Sequence, residues 1–330
     1  MYRPTEAEDA PRRSGSDRCD DWCPETYARL VRELCRDVSA DALVTQFVLL
    51  SRCHLGLTAD TLRVIDADNL FADRREGFAA AGLDYWWFST SRQDEDTCLR
   101  RADLLVCIQP QEATTLSDRS GVDAMVVPHT ASPAVCPPAT GSGLLYVGSA
   151  NPVNIDAIGS FISAGLPQLR AAGLDTRLTV CGGVCAHLRE SPDIVLAGVI
   201  GDLWQQYVEA AVVLNPAAVG TGVSIKTVDA IAHGKCLVTT AAGASGIPGI
   251  DRAARVVPSQ AHVPAAVIDL LRDAALIRHH ERRAAEAARQ MADTKALAVF
   301  EQRILTRRRG RFARQQPTHG AGYATERVRS

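Results

Sequence analysis

The sequence predicts an α/β protein made of two doubly wound domains, each a parallel sheet with helices on both faces. Three observations predict it. Short apolar runs of strand length alternate with helical intervals through both halves of the chain. A stretch rich in Pro and Gly, residues 132–142, separates the halves. One Gly-rich turn, Gly220 to Val223, joins a buried strand to the start of a helix. With 330 residues, 46% of them hydrophobic, the chain can fill two cores.

The elements follow in order. Residues 1–22 are polar and charged, with Pro and Gly, and read as a disordered leader. A helix starts near Pro24 and carries Tyr27, Leu30, Val31 and Leu34 on its buried face. Strands are expected at 43–50, 61–66 and 102–108, with a short one at 124–128, and these fill a first domain over 23–131. After the linker comes a second domain, 143–275. It opens with a strand at 144–147 and a helix at 154–169. Strands at 177–181 and 193–197, a helix at 202–210 and a strand into Pro216 then lead to the central turn. The helix behind that turn places Val228, Ile231 and Ala232 on one face. Gly234 stops it at a C-cap position, and Cys236 to Thr240 form the next strand. From Val263 the pattern is helical, with Ala265, Ile268, Leu271 and Ala275 on one face and a long helix over Ala285 to Leu305. C-terminal helices over 276–309 give way to a disordered basic tail, 310–330.

Composition narrows the class of function. A net charge of −2 implies no strongly charged partner. The basic run Arg307 to Arg311 lacks an aromatic series or amphipathic context, so it reads as a solvated tail with no nucleic-acid role. His279 and His280 read as a surface pair. The ten cysteines are scattered, several within apolar patterns, and read as buried free thiols of a cytoplasmic protein. Cys19/Cys23 and Cys181/Cys185 have matching spacings, but no Cys/His pairs complete a zinc site, so no metal is expected. No signal peptide or membrane-length apolar run stands out.

The chemistry concentrates at Gly220-Thr221-Gly222-Val223-Ser224-Ile225-Lys226-Thr227-Val228-Asp229. A Gly-rich turn into a helix gathers unpaired backbone N–H groups and the positive end of the helix dipole, which suits a phosphate. Lys226, in the first turn, gains nothing from the dipole and serves an anionic ligand better. Asp229, three residues on, can accept hydrogen bonds from ribose hydroxyls. The spacing fits a solvated Lys–Asp pair equally well. The chain has three lysines against thirty-three arginines, so Lys226 is not the default cation here. Gly148-Ser149 and Gly182-Gly183 also follow strands, either as tight turns or as walls of one nucleotide pocket at the carboxyl edge of the sheet.

This segment, continued through Ala230-Ile231-Ala232-His233-Gly234, resembles the donor site of the retaining glycosyltransferases of group 1, or family 4. Their form is G-T-G-x-x-x-K-x-x-E-A-x-A-x-G. The resemblance takes in Leu144 to Asn154, Leu178 to Gly183 and Val195 to Leu203, about half the chain in all. In the first domain, Val64 to Arg74 is similar to a family V-I-D-x-H-D-x-x-x-x-R pattern, and Leu99 to Gln109 to L-x-R-A-D-x-x-x-x-I-Q. Glu112 and Pro128-His129 also sit where that pattern has Glu and Pro-His. Asp68 and Asn69 stand in place of His and Asp, and the opening strand with its Gly-rich loop is missing.

The resemblance implies the GT-B fold: two Rossmann-like α/β domains facing across a cleft, the first incomplete, with either the chain N-terminally truncated or its acceptor domain reduced. It implies transfer of a sugar from a nucleotide-diphosphate sugar to an acceptor hydroxyl (of a glycan, lipid or small molecule), with retention and without metal or cofactor. The donor would be held by Gly148, Ser149, Gly182, Gly183, Gly220, Thr221, Gly222 and Val223, with Lys226 on the diphosphate and Asp229 on the ribose. The family usually gives the ribose to Glu, and Asp reaches roughly 1.5 Å less. Asp68, Asn69 and Arg74 would face the acceptor, and a C-terminal helix would cross back onto the first domain. The alternative is a nucleotide-sugar-binding remnant or partner subunit without transferase activity. A dehydrogenase fits poorly, because no G-x-G-x-x-G after a strand is followed by an acidic residue about 20 positions on.

Overall fold

The structure, a computed structural model, describes residues 18–72, 74–83 and 88–315. The expected leader up to residue 17, Asp73 of the first-domain pattern, and the tail beyond 315 lie outside the described residues.

Among its described residues the first domain holds four parallel strands: β1 (Ala42–Gln46), β2 (Leu62–Asp66), β3 (Leu104–Cys107) and β4 (Ala124–Val126), in the spatial order β1-β2-β3-β4. Four expectations need correction. The segment 18–22 is not a leader, since Cys19–Trp22 form a 3-10 turn with Cys19 buried in the first core. The helix Glu25–Asp37 does begin after Pro24, but it buries Ala28 and Cys35 and leaves Leu30 and Leu34 exposed. Its inward stripe is rotated by about one residue, or 100°. The first strand ends at Gln46, because Phe47 takes a φ of +60° and turns the chain into a 3-10 segment, Val48–His54. That turn sets the Phe47 ring edge-on to Phe71 at 5.6 Å and buries Val48 and Leu49. At the far end, the helix Lys295–Gln315 runs through the start of the expected tail.

The second domain holds six parallel strands: β5 (Gly143–Val147), β6 (Leu178–Cys181), β7 (Ile194–Gly198), β8 (Ala210–Asn215), β9 (Leu237–Thr240) and β10 (Arg255–Val257). Their spatial order is β10-β9-β8-β5-β6-β7. Both faces are covered: Leu144, Tyr146, Val212 and Leu214 enter one core, and Leu145, Val213 and Leu237 the other. Burial on both sides explains why these strands are continuous apolar runs rather than alternating ones. The helix Val263–Arg272 buries Val263, Ala266, Val267 and Leu270, so the expected stripe through Ala265 and Ile268 is again rotated. The long C-terminal helix is two, Ala274–Met291 and Lys295–Gln315, broken around Asp293.

Two features join the halves. The linker lies on the second domain, where the N–H groups of Ala134 and Cys136 donate to the carbonyls of Ala232 and His233. Ala139 N donates to Glu281, whose carboxylate pairs at 3.3 Å with the fully buried ammonium of Lys235. The last helix does cross back. Phe300 and Ile304 pack on Leu62, Val64, Leu104 and Val106, and Arg303 meets Asp123 at 2.7 Å.

Candidate functional site

Strand order locates the site. In the second sheet the chain moves outward from β5 to β7, then returns to lay β8 beside the other edge of β5. At such a reversal the loops leaving the two neighbouring strands diverge and leave a crevice beyond their carboxyl ends. Here those loops are Gly148–Asn151 after β5 and Pro216–Ser224 after β8. The first sheet, whose strands follow one another without reversal, has no equivalent crevice among its described strands.

A pocket of about 170 Å³ lies in that crevice, lined by Asn151, Asn154, Gly220, Thr221, Gly222 and Lys226, with Arg74 and Phe78 reaching in from the first domain. Lys226 lines it. Its ammonium donates to Asn154 Oδ1 at 2.5 Å and to Tyr146 Oη at 3.4 Å, and lies 5.0 Å from the centre of the Tyr146 ring. Asn154 is fixed in turn: its Nδ2 donates to the carbonyl and hydroxyl of Ser149, both at 3.1 Å. Asn151 caps the helix Pro152–Ser160 by accepting from Asn154 N at 2.9 Å. Among the described residues no carboxylate neutralises this lysine, and burial pulls its pKa down to about 8. A cation held by neutral oxygens beside a glycine loop favours an anion.

The glycine loop is held from below by Asn215, the last residue of β8. Its Nδ2 donates to Ser224 Oγ at 2.9 Å and to Thr227 Oγ1 at 2.8 Å, and Thr227 donates to the Gly243 carbonyl at 2.8 Å. This buried network sets where the helix Ile225–Ala232 starts, and so where Lys226 points.

Across the crevice the first domain grips the same loop. Gly222 N donates to Glu112 Oε1 at 2.9 Å, and Gln109 Nε2 donates to Gly222 O at 3.2 Å. Thr221 Oγ1 donates to Asn69 Oδ1 at 3.1 Å. Gly222 has a φ of +72°, and a Cβ there would stand 2.8 Å from the Asp68 carbonyl, so only glycine lets the domains close this far. Burial pushes the Glu112 carboxyl up despite the amide it accepts. Asp68 follows closely on Asp66, the last residue of β2, and burial together with the Asp68 charge raises Asp66 to about 7.

The expected residues thus fall into three groups. Gly220, Thr221, Gly222, Lys226 and Arg74 line one pocket, with Asp68 and Asn69 at its seam. The Gly222 amide, expected to be open to a diphosphate, is instead committed to Glu112. Gly148 and Ser149 form its floor through Asn154, and Gly182 (φ +98°) packs so closely on the Gly148 carbonyl that a Cβ would stand 2.3 Å away. Gly183 sits beside them, its would-be Cβ 3.3 Å from Ala150 N. Val223 turns away and lines a second, larger cavity with Val228 and His129. Asp229 does not line the Lys226 pocket. It is half-buried one turn further on, its carboxyl raised by burial and drawn back by His233 and His129. Tyr146, Asn154 and Asn215 were missed as site residues. Only Asn151-Pro152 carried a readable signal, a cap before a helix-starting proline.

Two facing Rossmann-like sheets with the crevice between them define the GT-B architecture. Residues 141–273 match the family model for glycosyl transferases group 1. Solved structures of the same fold include TarM (TM-score 0.68, 7% identity, covering 84% of this chain and 58% of that one). Sucrose-phosphate synthase from Thermosynechococcus elongatus is similar at a TM-score of 0.67 and 17% identity, covering 88% and 78% of the two chains. HepE of Anabaena, in complex with UDP, reaches 0.65 at 12% identity, covering 85% and 81%. The chain therefore spans 58% of TarM's length and most of the other two. No curated protein sequence is similar enough to match.

Proposed function

We propose that this protein is a glycosyltransferase that binds a nucleoside-diphosphate sugar in the β5/β8 crevice and passes the sugar to an acceptor hydroxyl with retained configuration. The observation that carries the reading is Lys226, a half-buried ammonium with no counter-carboxylate among the described residues, beside the glycine loop at the reversal of strand order. In sugar transfer, negative charge builds on the departing diphosphate. A fixed cation and oriented amides there stabilise the transition state more than the ground state. Lys226 with the amides of Gly220, Thr221 and Val223 supply that set with no demand for a metal. Asp229 takes the ribose from one turn further along the helix, and Arg74 with Asp68 and Asn69 faces the acceptor, whether glycan, lipid or small molecule.

A pocket of about 170 Å³ is smaller than the roughly 300–1,000 Å³ of sites that enclose ligands of this size. Entry of a nucleotide sugar therefore requires the Glu112–Gly222 and Asn69–Thr221 seam to part. The same tight seam favours a second reading, a binding subunit that does not turn over. Hydrolysis or transfer of radiolabelled UDP- and GDP-sugars, alongside calorimetric binding of UDP and GDP, separates the two. Binding with turnover supports the transferase, binding without turnover the subunit, and neither would remove both.

A further inference from the structure

Cys19 and Cys23 stand at the two ends of one 3-10 turn, and each meets a cysteine from a different element. Cys23 Sγ lies 3.7 Å from Cys53 Sγ, on the 3-10 segment Val48–His54. Cys19 Sγ lies within 4.8 Å of Cys98 Sγ, on the helix Arg92–Leu99. All four are at most 1% exposed. Between the pairs, Asp20 is clamped by Arg101 at 2.8 Å and lies 3.7 Å from Arg52, which also donates to the Cys23 carbonyl at 2.9 Å. The turn is therefore fastened on both sides by thiol pairs, with an ion-pair cluster holding the register.

We infer that these are two dithiol latches, which close into the disulfides Cys23–Cys53 and Cys19–Cys98 and lock residues 18–24 onto the first domain. The oxidant is a low-molecular-weight disulfide, which reaches these buried sulfurs through local opening of residues 18–24. A Cys23 thiolate attacks one of its sulfurs, forming a mixed disulfide and expelling one small thiolate. Cys53 then loses its proton and attacks the Cys23 sulfur, expelling the second. Two protein thiols become one disulfide, and the two expelled thiolates take up the two protons. Cys98 and Cys19 follow the same course. The pairs are polarised for it. Hydrogen bonding from Cys53, helped by Arg52, draws Cys23 down, while Cys53 is pushed up. Cys19 and Arg101 likewise draw Cys98 down and Cys19 is pushed up, giving each pair one ready nucleophile.

A competing use of one pair is metal binding, since Cys19, Asp94 and Cys98 bring their ligand atoms within 4.8 Å of one another. Asp94 Oδ2, however, already accepts from Cys19 N at 2.8 Å and Thr90 Oγ1 at 3.1 Å, and the described residues supply no fourth protein ligand.

The experiment equilibrates the reduced full chain with oxidised glutathione, traps free thiols with a maleimide and maps the linkages by mass spectrometry. Loss of four of the ten thiols is expected, with only the Cys23–Cys53 and Cys19–Cys98 links formed. In Cys53→Ser, Cys23 should instead carry glutathione while the other link still closes; an unchanged melting curve shows that this variant folds. Other pairings, lasting glutathione adducts on the unsubstituted chain, or no loss of thiols would overturn the inference. So would equimolar zinc by elemental analysis with Cys19 and Cys98 unlinked.

Discussion

The carboxylate of Glu112 in the first domain accepts a hydrogen bond from the backbone N–H of Gly222 in the second, at 2.9 Å. One side chain thus closes the crevice and occupies an amide that a diphosphate would use. Removing it should ease binding. Glu112→Ala is expected to tighten UDP or GDP binding about fivefold to tenfold, the worth of one hydrogen bond near 1 kcal/mol. Weaker binding in a folded variant would show that Glu112 instead holds the loop in its binding shape.

Asp229 carries the ribose role in this account although it lies outside the Lys226 pocket. Asp229→Asn keeps size and loses charge, and should weaken nucleoside-diphosphate binding by about 1–3 kcal/mol. Asp229→Glu separates the two functional readings: neutral or harmful in an enzyme adjusted to Asp, improving in a decayed donor site. If wild type, Asn and Glu variants bind alike by calorimetry, Asp229 is an ordinary helix residue.

The Asp66–Asp68 pair predicts a pH dependence of stability. Asp66 has a pKa of about 7 in the folded chain against a reference of 3.8. Between those values the folded state holds a proton that the unfolded state has released. Stability from this group is therefore full below pH 4 and is lost as the pH rises through 7. Asp66→Asn should flatten that part of the melting-temperature profile. An unchanged slope would mean that burial does not hold the Asp66 proton in the folded chain.

Lys235 and Glu281 form a buried pair that joins the second domain to the linker and the helix Ala274–Met291. Glu281→Gln leaves the ammonium unpaired in the core and should cost roughly 3–5 kcal/mol in denaturant unfolding. Replacing both, as Lys235→Met with Glu281→Leu, should recover most of it. A small loss in the single variant would place the pair in contact with water.

The alternation of apolar runs made the second domain legible almost strand by strand, because strands buried on both faces have to be apolar throughout. Gly220, Gly222 and Lys226 were legible for a local reason: one turn fixes all three. Asn154 and Tyr146 were not, since they reach Lys226 only after β5 and β8 become neighbours. Glu112 likewise touches Gly222 across 110 residues, a contact that no local spacing encodes. The rotated faces at Leu30 and Ala265 have a simpler origin. Helices with apolar residues on several sides do not declare which side faces in until the sheet beneath them exists.

The most direct test is calorimetry of matched ligands on Lys226→Ala, with UDP against uridine and GDP against guanosine. The account predicts that diphosphate affinity falls roughly tenfold to a hundredfold, the worth of a charge-assisted contact of about 1.5–3 kcal/mol, while nucleoside binding hardly moves. In the wild type, diphosphate affinity should also fall as pH rises past about 8, where the free-state ammonium loses its proton, and Lys226→Arg should remove that fall. Equal losses for nucleotide and nucleoside would contradict the account, leaving Lys226 as a support for Asn154 and Tyr146 alone.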